Sequence, residues 1–174
     1  PCVENDRIFL EPSTVAEQIR KKLMQNGVLY SKLLDDGSIT MRGGLAALNR
    51  IKSDWMQNRT SNCNQILFGK NIQRYMVKNS AREEYLDKSH NFNSQYRVQI
   101  EEFAKPHIEM QRIFSHTQND ESPFTLLKAS FLNGSYIPAN TCTCIFPNPE
   151  KFDPFFMLGV LNSRIVSYFA WKFI

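Results

Sequence analysis

The order of elements along the chain predicts an α+β fold: a mixed, mainly antiparallel twisted sheet with hairpins, flanked by N-terminal and C-terminal helices. Three observations carry that reading. A helix-start signature opens the chain and an apolar helix closes it, with β-rich runs between them. Those runs are not interleaved with helices in the alternation that βαβ units require. Asn133-Gly134 stands between two β-rich segments, the strongest short-range hairpin signal.

Each element has its own local reason. Thr14-Val-Ala-Glu17 carries the capping-box pattern, and Val15, Ile19 and Leu23 recur on one helical face. Gly27 closes that helix in the C′ position. Val28 to Leu34 reads as a strand, Asp35-Asp36-Gly37-Ser38 as a turn, and Ile39 to Arg42 as the returning strand. After the Gly43-Gly44 break, Leu45 to Trp55 reads equally well as helix or loop. Gln65 to Phe68 is a short strand stopped by Gly69, and Ile72 to Val77 is another strand. Gln95 to Ala104 has helical spacing and ends before Pro106. Next, Ile108, Met110, Arg112 and Phe114 alternate with Glu109, Gln111 and Ile113, as in a half-buried strand. Phe124 to Leu132 and Ser135 to Phe146 form the arms of the expected hairpin, Pro138 placing the return strand at an edge or after a bulge. Asp153-Pro154 supplies N-cap and N1 for one closing helix, Phe155 to Phe169 or beyond.

A chain of 174 residues with 42% apolar and 22% charged residues fits one globular domain, without internal repeat or low-complexity linker. Its longest apolar stretch, Phe155 to Leu161, falls far short of the roughly 20 residues a bilayer demands. No secretory leader pattern opens it, and Cys2, Cys63, Cys142 and Cys144 make no disulfide framework. A soluble, cytoplasmic protein is therefore expected. The start at Pro1 and the apolar finish from Ser167 to Ile174 lead us to expect a fragment of a larger chain.

The formal net charge of +4 is unevenly spread. Residues 1–41 hold five Lys/Arg against six Asp/Glu, and residues 113–174 hold four of each. Arg42 to Arg112 hold twelve against seven, a local balance of +5. That suits a polyanionic partner, and it equally suits an ordinary solvated surface. Asn and Gln are abundant, and their amides suit adenine edges.

Catalytic and metal patterns are missing. Cys142 and Cys144 share one face of an expected strand, but His90, His107 and His116 are scattered and no ligand pairs complete a zinc site. Buried strand cysteines are the expectation, with no metal bound. The sequence contains no nucleophile elbow, P-loop or dinucleotide fingerprint. Glu83-Glu84 and Glu101-Glu102 read as solvated helix-surface pairs.

Four stretches together resemble the TaqI-like specificity domain, the C-terminal target-recognition part of type II adenine-specific DNA methyltransferases, including those fused to endonucleases. Ile66-Leu-Phe-Gly69-Lys-Asn-Ile72-Gln-Arg-Tyr75 resembles its strand followed by a Gly-x-x-Ile-x-x-Tyr segment. Lys105-Pro-His-Ile108, followed by Arg112, is similar to its Lys-Pro-x-Ile strand, and Tyr136 to Asn140 to its return strand. Leu158-Gly-Val-Leu-Asn-Ser163 resembles its closing helix. One departure stands out: Gly43-Gly-Leu-Ala-Ala-Leu-Asn49 lacks the Thr-Gly pair of the family's Gly-Ile-x-Thr-Gly-x-Asn pattern.

The resemblance implies a domain that recognises double-stranded DNA, mainly through the major groove, for a bacterial restriction-modification adenine methyltransferase. It implies that S-adenosylmethionine and the chemistry belong to a separate catalytic domain of the same parent chain, so this fragment is not itself an enzyme. The DNA-binding candidates are then Gly69, whose N–H is expected to meet a phosphate, with Lys70 and Arg74 around the same turn. Lys105 and Arg112 flank a strand, and Gln73, Gln111 and Asn140 are possible base readers. For each, the bland alternative is a strand end or a solvated side chain. Asn162-Ser163 is expected to pack or cap rather than read bases. A second expectation is a docking module of a restriction-modification complex, with Tyr168, Phe169, Trp171 and Phe173 exposed for contact.

Overall fold

A computed structural model describes residues 2–4, 7–9, 14–27, 30–46, 55–56, 63–78, 84–87, 94–112 and 126–173. The side chains of residues 2–4, 7–9, 14, 55–56 and 171–173 lie outside that description. Strands β1 (Cys2–Glu4) and β2 (Arg7–Phe9) pair with each other, and α1 (Thr14–Asn26) and α2 (Tyr30–Asp35) follow. β3 (Ile39–Gly43), β4 (Trp55–Met56), β5 (Cys63–Leu67), β6 (Ile72–Gln73), β7 (Met76–Val77) and β8 (Tyr85–Asp87) precede α3 (Ser94–Phe103). Then come β9 (His107–Gln111), β10 (Ala129–Leu132), β11 (Tyr136–Pro138) and β12 (Cys142–Pro147). The helices α4 (Pro154–Leu161) and α5 (Arg164–Phe173) close the chain. The arrangement is α+β, as expected.

Two four-stranded sheets form the body. The first is antiparallel throughout, in the order β10-β9-β12-β3. The second has the order β11-β5-β8-β4, with β11 parallel to β5. Strand alternation divides the first sheet into two faces. Ile39, Ile108, Ala129 and Ile145 pack with Met157 and Leu158 of α4. On the opposite side, Cys144 joins Leu45, Ile66, Leu86 and Ile137 with Phe103 of α3. The strand β9 is thus covered on both faces, and His107, Ile108 and Glu109 are all buried. It is not the half-buried strand its alternation suggests.

The outer edge of β10 is closed by side chains. Asn162, fully buried, accepts from the Ala129 N–H (3.0 Å) and donates to the Ala129 carbonyl (2.9 Å). Two residues earlier, the Leu127 N–H donates to Ser167 Oγ (3.2 Å). These contacts satisfy backbone groups that a bare edge strand leaves open.

That edge explains why the expected hairpin does not form. Gly134 does turn the chain, with φ of 74° and no room for a side chain beside the Ala104 carbonyl. The Phe124-to-Phe146 arms do not pair, however, and residues 124–125 lie outside the described residues. β10 pairs only with β9, because Asn162 and Ser167 occupy its other edge. β11 crosses to the second sheet, where Ile137 joins the core beside Ile66.

Other local expectations change for equally specific reasons. Val28 to Leu34 is no strand from Tyr30 onward: α2 forms there, and Leu33 packs on the Ile39 and Ile108 cluster. The Asp35–Ser38 turn is real, held by Ser38 N–H to Asp36 Oδ1 (2.8 Å), but it joins a helix to β3. Gly27 closes α1 without the left-handed φ of a C′ glycine; a Cβ there would meet the Leu23 carbonyl oxygen at 2.5 Å. Ile72 to Val77 folds back on itself as β6 and β7, turning at Arg74-Tyr75. The closing helix is two helices, because Asn162 caps α4 and Ser163 Oγ accepts from the Val166 N–H (3.2 Å) to start α5. Asp153 caps α4 as expected, its side chain accepting from the Phe155 N–H (2.8 Å). Most of Leu45 to Trp55 lies outside the described residues; Leu45 itself bridges to Ala139.

Replacing Asn162 by Ala removes both side-chain partners of Ala129 while leaving the Asn162 backbone in place. Because the Ala129 carbonyl keeps the Tyr75 N–H, the expected result is a loss of about 1–3 kcal/mol, the scale of leaving one buried backbone donor unpaired, read as a lower urea midpoint with an unchanged slope.

Candidate nucleic-acid interface

β5 delivers the chain into a 3-10 turn, Gly69–Asn71, which is pinned from within. Buried Asn71 accepts from the Phe68 N–H (3.3 Å) and donates to the Lys78 carbonyl (3.1 Å), while the Lys78 N–H returns to the Asn71 carbonyl (2.8 Å). Gly69 packs against the loop between β11 and β12. Its N–H donates to Thr141 Oγ1 (2.9 Å), and a Cβ would sit 2.5 Å from the Thr141 carbonyl oxygen. Glycine is required here for close approach of two backbones. Contrary to the expectation from the sequence, the Gly69 N–H is not open to a phosphate: the residue is buried and the donor already used.

The end of β9 meets the same loop. The Arg112 N–H donates to the Thr141 carbonyl (2.9 Å), and Arg112 Nη1 lies 3.4 Å from the Asn140 carbonyl oxygen. Gly44 completes the wall: its N–H donates to the Cys142 carbonyl (3.1 Å), and a Cβ there would overlap the Ala139 carbonyl oxygen. So Gly43-Gly44 has a structural task although the family's Thr-Gly pair is missing. Phe68, Gly69, Lys70, Gln111 and Thr141 line a shallow cavity of about 330 Å³. Lys70 is exposed, its Nζ 5.7 Å from the Phe68 ring centre, and Arg112 is exposed beside half-buried Gln111 and Asn140.

The structure thus gathers Gly69, Lys70, Gln111, Arg112 and Asn140 at one end of the two sheets. It places three other candidates elsewhere. Arg74 turns inward and donates from Nη2 to the Asn162 carbonyl, so its charge is tied to the C-terminus of α4. Gln73 is half-buried on β6. Lys105 is exposed but precedes β9, at the far end of that strand from Gln111. Its carbonyl accepts from His107 Nδ1 (2.7 Å), and His107 Nε2 lies 3.5 Å from Glu109 Oε2. Sequence reasoning missed Thr141 and Phe68, since a hydroxyl and an aromatic inside β-rich runs carry no distinguishing signal.

Several side chains differ from their surface reading. Glu102 is not a free solvated acid: it pairs with Arg42 at 2.7 Å across 60 residues. Glu84 is half-buried, and its carbonyl accepts from the Ile66 N–H (2.7 Å). Glu83 lies outside the described residues. Tyr168 and Phe169 are half-buried, whereas Phe155 and Phe156 on α4 are exposed, 63% and 62% accessible. The side chains of Trp171 and Phe173 lie outside the description. Cys142 and Cys144 are buried on one face of β12. Burial first, and then the Glu109 charge, push both thiols far above the usual range. Among the described residues, no three His, Cys, Asp or Glu side chains are grouped to hold a metal ion, and no helix is long and apolar enough to cross a membrane.

Comparison with known proteins gives one finding. The family model described as the TaqI-like C-terminal specificity domain matches residues 64–174. No curated protein matches the chain.

Because only thiolates attack thiol reagents readily, Cys142 and Cys144 should stay unmodified by iodoacetamide in the folded protein at neutral pH. Both should react once urea unfolds it. Peptide mass mapping before and after unfolding checks this, and rapid labelling of either residue in the folded chain would contradict the burial described.

Proposed function

The chain belongs to the TaqI-like C-terminal specificity domain family, and on that premise we propose that it recognises a short double-stranded DNA sequence for a bacterial, cytoplasmic type II restriction-modification adenine methyltransferase. In this reading S-adenosylmethionine and methyl transfer belong to a catalytic domain of the same parent chain. This domain supplies the choice of site and no catalytic group. It holds the duplex so that the neighbouring domain receives an extruded adenine.

The observation that supports this reading best is the meeting of two kinds of side chain around the Gly69 turn. Lys70 and Arg112 are exposed cations, and Gln111 and Asn140 are amides a few residues away. Cations bind phosphates without reading sequence, whereas amides pair with the N6 and N7 edge of adenine in the major groove. The hydrogen bonds that Gly69 and Arg112 donate to Thr141 constrain the spacing between the two groups.

A second reading has its own observation. No charged residue stands on α4, and Phe155, Phe156 and Val160 are exposed on it. Such a face suits docking on a methyltransferase or nuclease body. The two readings are compatible if that face meets the parent enzyme while the Gly69 end meets DNA.

Titrating selected and random duplexes at several salt concentrations separates the roles. Lys70→Ala should weaken both by a similar factor and make the slope of log affinity against log salt shallower by about one unit. Gln111→Ala should instead cost roughly 1–3 kcal/mol at one base pair and relax specificity there. Absence of duplex binding by the unaltered protein, together with retention on a methyltransferase body, would leave only the docking role.

A further inference from the structure

The β6–β7 hairpin carries at its tip a residue that its own backbone disfavours. Tyr75 has φ of 68°, and among the described residues no other non-glycine residue has a positive φ. It occupies the third position of the turn from Gln73 to Met76, where glycine or asparagine fits without strain and an aromatic residue does not. The turn is firmly held. The Tyr75 N–H donates to the Ala129 carbonyl (2.9 Å), Gln73 pairs with Met76, and Asn71 and Lys78 close the base.

Packing does not account for the ring. Tyr75 is 56% exposed and Met76 is 58% exposed. The preceding Arg74 is directed inward to Asn162, its guanidinium carbon 5.9 Å from the centre of the Tyr75 ring. A strained aromatic side chain therefore projects from a rigid tip that neither turn chemistry nor the core requires. Strain of this kind persists where the surrounding structure holds it, and it clusters at functional sites.

We propose that Tyr75, with Met76 beside it, is a stacking contact of this domain with DNA: the ring lies against a nucleobase at an unstacked step of the bound duplex. The inference rests on the DNA-recognition reading above and adds a contact of a different physical kind. Every base offers a π face, so an aromatic tip engages nucleic acid without hydrogen-bond readout, and apolar side chains wedge between base steps. A fixed tip loses little freedom on binding, which favours affinity. Tyr75 follows Lys70 by five residues, an extended reach of at most about 18 Å, so one duplex accommodates both.

The test uses Tyr75→Gly, Tyr75→Asn and Tyr75→Phe, with urea midpoints and affinities for a pool of duplexes with randomised centres. It adds photocrosslinking to duplexes in which 5-iodouracil replaces thymine. Gly and Asn relieve the backbone, so they should keep or raise the urea midpoint while lowering affinity about 5- to 100-fold. The salt slope should stay as in the unaltered protein, because no phosphate contact is removed. Phe should restore affinity, and the crosslink should map to the peptide containing Tyr75. Unaltered affinity in the Gly variant, or a crosslink confined to other peptides, would overturn the stacking contact alone and point to a protein partner for the tip. A lowered midpoint in both Gly and Asn variants would overturn it in favour of a structural ring. Failure of the unaltered protein to bind any duplex would remove the recognition reading together with it.

Discussion

Asn162 gives Ala129 both of the hydrogen bonds that a neighbouring strand would otherwise supply, and this exchange sets the limits of the first sheet. A carboxylate at this position accepts but does not donate, an alkyl group does neither, and an amide returns the pair with donor and acceptor spaced as in a peptide unit. The same Ala129 carbonyl receives the Tyr75 N–H, and the carbonyl of Asn162 receives Arg74. Sheet edge, hairpin and the junction of α4 with α5 therefore meet around Ala129 and Asn162. The family's Gly-x-x-Ile-x-x-Tyr and Leu-Asn-Ser stretches, far apart in sequence, are joined physically at this point.

That junction also draws one charge, Arg74, inward. Among the described residues, two of the cations between Arg42 and Arg112 are committed to partners within the fold. Arg42 is matched by Glu102, and Arg74 is spent on a helix end. At the Gly69 turn itself stand Lys70 and Arg112, close to two amides and raised on a loop that glycines bring into backbone contact. A small number of placed charges beside polar readers is better suited to choosing a site than a broad basic surface, which binds any phosphate chain alike.

The sequence made visible what is decided within a turn or two of helix. α1, α3 and the strands β3, β5, β9 and β12 follow local patterns of apolar residues, caps and breakers. Gly134 likewise behaves as its turn chemistry demands. Pairing was not visible, because the partner edge of β10 is filled by residues 33 positions away and beyond. Tyr30 to Asp35 shows the same limit, since β-rich neighbours gave way to a helix that packs half-buried Leu33 on the core. At the site, Gly69, Lys70, Gln111, Arg112 and Asn140 were named from chemistry and motif. Thr141 was missed, and the inward turn of Arg74 was illegible because its acceptor lies 88 residues on.

The wide spacing of these contacts has a consequence for how the molecule is made. Gly69 meets Thr141 across 72 residues, Cys142 meets Leu67 across 75, and β3 waits for β12. Closing such long loops precedes any reward from the contacts they allow, so folding is expected to be slow for the chain's size. On a ribosome, β3 and β5 emerge well before β12 and β11, with their apolar faces and strand edges open. Such edges are templates for association with other chains. The domain thus depends on its last third to protect its first, and a nascent chain stalled before β12 is a substrate for chaperones or for aggregation.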